Sequence, residues 1–280
     1  MTWTWRAAAA LLGVCLSGSA ALGAAARDAQ DALVVEFLDL SGTRRMLEQV
    51  PQQVLASAAK DQERLPAATR ARLQPALAEA YRFDALYRTV YADVRRRGSA
   101  NELAAALELL RSPVALRFTE WEVEAGTPEA QPLFQAYVNA LPSSPPERER
   151  VALVERLDGL TGTSAALTDV TVQTAGAIAR GVASARGPLT HAQRAALEDA
   201  MTQMRQRVGP ACRQQVLALL LFTYRKATVA ELARYVQLFD GGTGAWISQV
   251  TGAALRAGLE RAASELARLL AGSGVLAPAH

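Results

Sequence analysis

The sequence predicts an all-α protein built as two tandem, similar multi-helix domains. Three observations carry this. Half of the 280 residues are apolar by type, with Ala and Leu prominent, and both are strong helix formers. Apolar positions recur at i, i+4 and i+7, one stripe of a helix, rather than alternating as in a strand. Proline and glycine fall mostly between the periodic segments.

In the first half the expected helices are 31–40, 44–63, 67–80, 84–97, 100–111, 113–125 and 128–140. In the second they are 147–158, 164–185, 191–208, 210–226, 229–239 and 245–271. Pro51 and Pro75 should kink or split two of them, since proline cannot donate within a helix. Pro128 and Pro210 suit a first helical turn, where no donor is needed. Ser112-Pro113 marks a sharp corner between helices. Arg95, Arg96 and Arg97 before Gly98 place cations at a helix C-terminus and then a stop. "VLALLLF" (Val216–Phe222) is apolar all round and predicts a buried helix segment. It is far shorter than the roughly 20 residues a membrane span needs.

The two halves repeat one design. "EFLDLSGT" (Glu36–Thr43) returns as "ERLDGLTGT" (Glu155–Thr163), and "PALAEAY" (Pro75–Tyr81) as "AALEDAM" (Ala195–Met201). Ser99–Ala115 aligns with Thr228–Gly244, matching Leu103, Leu107 and Leu110 to Leu232, Val236 and Phe239. Each of these copies opens with a capping box, Ser99 with Glu102 and Thr228 with Glu231. In such a box the hydroxyl takes one orphan amide and the acid returns to another. Pro142–Arg148, "PSSPPER", cannot continue a helix and reads as a linker. The expected units are therefore domain 27–141, linker 142–148, domain 149–272 and a loose tail 273–280.

Residues 1–26 read as a signal peptide. Arg6 is a positive start, 7–22 is an apolar run, and Ala24-Ala25-Ala26 offers the small residues a signal peptidase needs. The expected destination is the periplasm or the medium, with no transmembrane helix in the mature chain. Cys15 follows Leu12-Gly13-Val14, and valine beside the cysteine argues against a lipoprotein anchor. Cys212 would then stand alone, without an internal disulfide, as a small buried hydrophobe.

Lys and Arg number 30 against 27 acids, a mixed surface that excludes a nucleic-acid footprint. The sequence holds no Gly-x-Ser-x-Gly, no His-Glu-x-x-His, no Walker loop and no Cys-x-x-Cys. Only His191 and His280 are present, so no catalytic triad, metal site or cofactor is expected. "DGGTG" (Asp240–Gly244) has the look of a phosphate loop. It stands between helices, however, and its aligned copy is Arg-Ser-Pro, so a turn is expected there. Glu120, Glu122 and Glu124 flank the stripe of Val114, Phe118, Trp121 and Ala125, and are expected to form a solvated face balanced by Arg117.

Phe83, Tyr87 and Tyr91 fall at i, i+4 and i+8 and form an aromatic ridge. Core packing explains such a ridge. The alternative is a half-wet wall, because each tyrosine hydroxyl needs a partner. With Trp121, these are the candidate ligand-binding residues.

Tyr91, Glu102, Leu103, Ser112 and Pro113, within "Y…EL…LLRSPVALRFTEWE", resemble the signature of the bacterial exported domain-of-unknown-function family 2059. The second copy keeps Glu231, Leu232 and Gly244. The resemblance implies an exported helical domain in two divergent copies, and no reaction. The leading functional expectation is a non-enzymatic interaction or scaffolding module of the cell envelope with an envelope protein as partner. The alternatives are a carrier of an apolar or amphipathic ligand and a carboxylate-dependent enzyme.

Overall fold

The computed structural model describes residues 28–62, 67–184 and 189–272, which are helical with no strand among them. Helix α1 covers 28–40. It is followed by α2 (Thr43–Gln62), α3 (Ala67–Ala80), α4 (Phe83–Arg97), α5 (Ala100–Leu110) and α6 (Pro113–Ala125). Then come α7 (Ala130–Ala140), α8 (Arg148–Thr161), α9 (Thr163–Ser184), α10 (His191–Thr223), α11 (Val229–Asp240) and α12 (Gly242–Gly272). The all-α expectation holds. Residues 1–26, expected to be a signal peptide, and 273–280, expected to be a loose tail, lie outside the described residues.

The helix starts follow the capping chemistry. Ser99 and Thr228 each accept from the third amide of their helix, and Glu102 and Glu231 each accept in return. Thr190 and Gln193 form a third box at the start of α10, which the sequence reading missed. At the Ser112-Pro113 corner the serine hydroxyl accepts from the Ala115 amide at 3.3 Å while proline opens α6. The turns into α2 and α9 use the only positive-φ residues described, Gly42 (φ 71) and Gly162 (φ 67). At Gly42 an added Cβ would also stand 2.8 Å from Cγ2 of Thr119, so α6 closes over that turn.

The prolines depart from expectation. Pro210 starts no new helix: α10 runs through it, and Pro51 and Pro75 likewise lie inside α2 and α3. One missing N–H is a local loss, and tertiary packing along the rest of the helix overrides it. Pro128 sits in a turn instead of opening a helix. The carbonyls of Thr127 and Pro128 accept from Ala130 and Gln131, and α7 begins at Ala130.

Residues 141–147 are non-helical between α7 and α8, yet the hydrophobic cores do not divide there. Cluster one joins Val34, Phe37 and Leu38 of α1 with Leu86 and Val90 of α4 and Leu103 and Leu107 of α5. It is completed by Ile247, Val250, Ala254 and Leu266 of α12. Cluster two joins Val154 and Leu157 of α8 with Tyr224 at the end of α10 and Leu232, Tyr235 and Val236 of α11. It receives Phe118 from α6. Each cluster thus draws helices from both sides of the proline-rich stretch. Every such fully buried Leu or Phe contributes roughly 1.5–3 kcal/mol.

Val216–Phe222 is only partly inside. Val216 and Phe222 are buried, but Leu219 is 36% exposed. Cys212 is buried and free. Among the described residues no helix is long and apolar enough to cross a membrane.

Helix α12 lies antiparallel to α4. Gly258 faces Leu86 and Val90 in the first part of α4, while Trp246 reaches Gly98 at its end. This pairing positions the surface groove described below.

Candidate functional site

The aromatic ridge forms as expected, with Phe83–Tyr87 and Tyr87–Tyr91 ring centroids 5.5 and 6.3 Å apart. All three residues pack against cluster one. The Arg44 guanidinium lies 5.8 Å from the Tyr87 ring centroid. The Tyr91 hydroxyl engages Asp31, which is also bound by Arg95. Trp121 is elsewhere, in cluster two, 4.9 Å from the Phe118 ring. The four candidate residues therefore belong to two clusters and do not form one wall.

The three acids of α6 do not share one solvated face. Glu120 is exposed and accepts from Arg45 at 2.8 Å. Glu124 is exposed and accepts from Lys226 at 2.9 and 3.0 Å. Glu122, between them, turns inward. The hydroxyls of Tyr224 and Tyr235 each donate to its Oε1 at 2.6 Å. Their rings pack on Phe118 at 5.2 and 4.1 Å. Arg117, the expected counter-charge, instead donates to Glu231 of α11 at 2.6 Å.

Glu122 is half-buried as a whole residue, but its carboxyl end is desolvated, and burial raises its pKa against the pull of the two hydroxyls. Burial, reinforced by Glu122, pushes both tyrosines well above their ordinary value. The cluster holds one carboxyl in a network whose two tyrosine donors are both committed to it. Sequence spacing missed this site because the tyrosines lie 102 and 113 residues away. The usable signal was Tyr224 itself, at the end of an apolar run, because a buried tyrosine hydroxyl requires a partner.

An open groove of about 760 Å³ lies between α4 and α12. At its base the two helices pack closely: a Cβ on Gly258 would stand 3.0 Å from Cγ2 of Val90. Its edges carry five arginines against three carboxylates. Three of the arginines pair along their own helix or the adjoining turn. Arg82 lies 3.5 Å from Glu79, Arg96 pairs with Asp93, and Arg268 holds Glu265 through two nitrogens at 2.6 and 2.8 Å. Arg88 on α4 and Arg261 on α12 are exposed and make no ion pair among the described residues. Arg261 is near enough to Glu265 to help lower that acid's pKa, though Arg268 is the main cause.

The chain matches no protein-family model, no curated protein and no solved structure.

Proposed function

We propose that this protein is an exported helical interaction module of the cell envelope, acting through the groove between α4 and α12 and performing no chemistry of its own. One observation carries the reading. Among the described residues, the charged side chains that line this groove without forming an ion pair are two exposed cations, one on each wall, Arg88 and Arg261. Such an arrangement serves recognition, since it offers donors without a nucleophile or base beside them.

Occupied contacts elsewhere favour this over the two alternatives. The tyrosine ridge, which a carrier would use as its wall, is engaged with cluster one, Arg44 and Asp31. The Glu122 carboxyl, which an enzyme would use as acid or base, is engaged with two tyrosine hydroxyls. Export rests on Arg6, the apolar run 7–22 and Ala24–Ala26. Two divergent copies of a unit like that of exported family 2059 are the proposed origin, supported by the paired turns at Gly42 and Gly162 and the paired capping boxes.

The test is site-specific photo-crosslinking in intact envelopes. A photoreactive residue at Ser264, exposed on the groove, should give a discrete adduct. The same residue at Glu198, exposed on α10, should give none. Equal labelling from both positions, or none from the groove, overturns the reading.

A further inference from the structure

We infer that the α4–α12 groove binds a phosphate-bearing ligand, gripped from both walls by Arg88 and Arg261. The inference rests on the groove being the contact surface and adds its chemistry.

Because α12 runs antiparallel to α4, residues near 258 face residues near 88. Arg88 therefore stands on one wall opposite the turn of α12 that carries Arg261, and both line the same cavity. Three features specify the ligand. The first is charge. Glu79, Asp93 and Glu265 each form an ion pair with one of the lining arginines, so five arginines against three carboxylates leave a cationic excess, with Arg88 and Arg261 outside those pairs.

The second feature is donor supply. The hydroxyls that line the groove donate elsewhere, Thr89 to the Ala85 carbonyl at 2.9 Å and Ser264 to the Glu260 carbonyl at 2.8 Å. The guanidinia are what remains to bind an anion, and a planar fork of N–H donors matches phosphate oxygens two at a time. The third feature is room. Small residues, Ala85, Ala257 and Gly258 among them, line the groove together with the arginines. A tetrahedral phosphate directs its oxygens out of a single plane, which suits donors on two walls better than the coplanar oxygen pair of a carboxylate.

The ligand is a phosphate ester, either free or as the headgroup of an anionic phospholipid, and the test separates the two sources. The full mature protein is titrated with glycerol 1-phosphate by calorimetry. In parallel it is sedimented with vesicles of phosphatidylcholine alone or mixed with phosphatidylglycerol. Binding of the free ester supports the inference with a soluble ligand. Binding to the phosphatidylglycerol vesicles alone supports it with a headgroup. In either case Arg88→Gln and Arg261→Gln should each weaken binding by about tenfold, the scale of one lost charge-assisted hydrogen bond.

Arg234→Gln, which removes the same charge from exposed α11, should leave binding unchanged. Both groove residues are exposed, so the thermal melt of each variant should match the parent. The inference is overturned if neither probe binds, or if Arg234→Gln weakens binding as much as the groove variants. If Ser264 still crosslinks a partner when neither phosphate probe binds, the interaction reading stands and only the phosphate chemistry falls.

Discussion

Arg117 of α6 donates to Glu231 at 2.6 Å, and Glu231 is at the same time the acid of the α11 capping box. The matching acid, Glu102 in the α5 box, interacts with Trp246 of α12. The helix that follows each capping-box helix therefore reaches over to the box of the other half. Arg117 and Trp246 each stand 18 residues after the capping residue of the preceding helix, Ser99 and Thr228, so the contact is reciprocal in place although not in chemistry. This is the local counterpart of the core exchange, in which Phe118 enters cluster two and Ile247 enters cluster one.

Replacing Arg117 with Ala should therefore cost little, below about 1 kcal/mol, because half of its side chain is exposed and the pair is screened. Glu231→Ala removes the same pair and also the return bond to the Thr228 amide, and should cost more than Arg117→Ala. Urea denaturation of the two variants gives the comparison. Equal losses would show that the cross-half pair, and not the cap, carries the energy at Glu231.

Ser99→Ala and Thr228→Ala should each destabilise by about 1 kcal/mol, since each hydroxyl satisfies an amide that has no partner within the helix. The two losses should be similar, because each box has the same bonds at nearly the same lengths. An unchanged denaturant midpoint in either variant would show that its cap is dispensable.

Glu122 should make stability fall as pH rises. Its folded-state pKa is raised by burial, so the folded protein holds this proton more tightly than the unfolded chain. The contribution is complete below the unfolded value near 4.5 and is lost as pH climbs through the raised value. Glu102, Glu120, Glu231 and Glu265 act in the opposite sense: hydrogen-bond donors hold them low, and their contribution is lost as pH falls. Glu122→Gln should flatten the fall on the alkaline side of 4.5 and leave the acid side unchanged. Tyr235→Phe should cost about 1–2 kcal/mol by withdrawing one of two donors. Urea midpoints taken at about pH 5, 6, 7 and 8 test the sign. A parent and Glu122→Gln that change in parallel would remove Glu122 as the titrating group.

The apolar stripes, the capping boxes of α5 and α11 and the corner at Ser112-Pro113 were legible in the sequence because each is a local event. A capping box needs four residues and a stripe needs eight. The segments that hold Gly42 and Gly162 were visible as a recurrence, but not the positive φ that each glycine adopts. What lay beyond reach was pairing across the chain. The inward turn of Glu122 is decided by Tyr224 and Tyr235 on α10 and α11, and nothing on α6 distinguishes it from Glu120 or Glu124. Pro210 misled because a proline is a local penalty while α10 is held by its length. The groove needed the antiparallel placement of α4 and α12, which no single stretch encodes.

The α11–α12 corner gives the sharpest structural prediction. It is formed by Gly241 and Gly242, where the α5–α6 corner uses Ser112 and Pro113. Gly244 lies two residues farther on, and a Cβ there would stand 1.9 Å from the Leu238 carbonyl oxygen and 2.6 Å from Cα of Phe239. Both atoms are backbone, so no rotamer change relieves the clash, and either the last turn of α11 or the first turn of α12 must move. The aligned residue is Ala115, whose methyl is buried at 2% exposure, so the first corner has room for a side chain that the second lacks. Gly244→Ala should cost on the order of 3 kcal/mol through overpacking, while Ala115→Gly should cost about 1 kcal/mol through lost helix propensity. Trp246 sits two residues beyond Gly244 and packs edge-on to Phe37 at 5.8 Å, so Gly244→Ala should also alter the near-ultraviolet circular dichroism. A Gly244→Ala variant with the parent's denaturation midpoint and spectrum would show that the corner is looser than its backbone contacts require, and the entry of α12 into cluster one would then need another anchor.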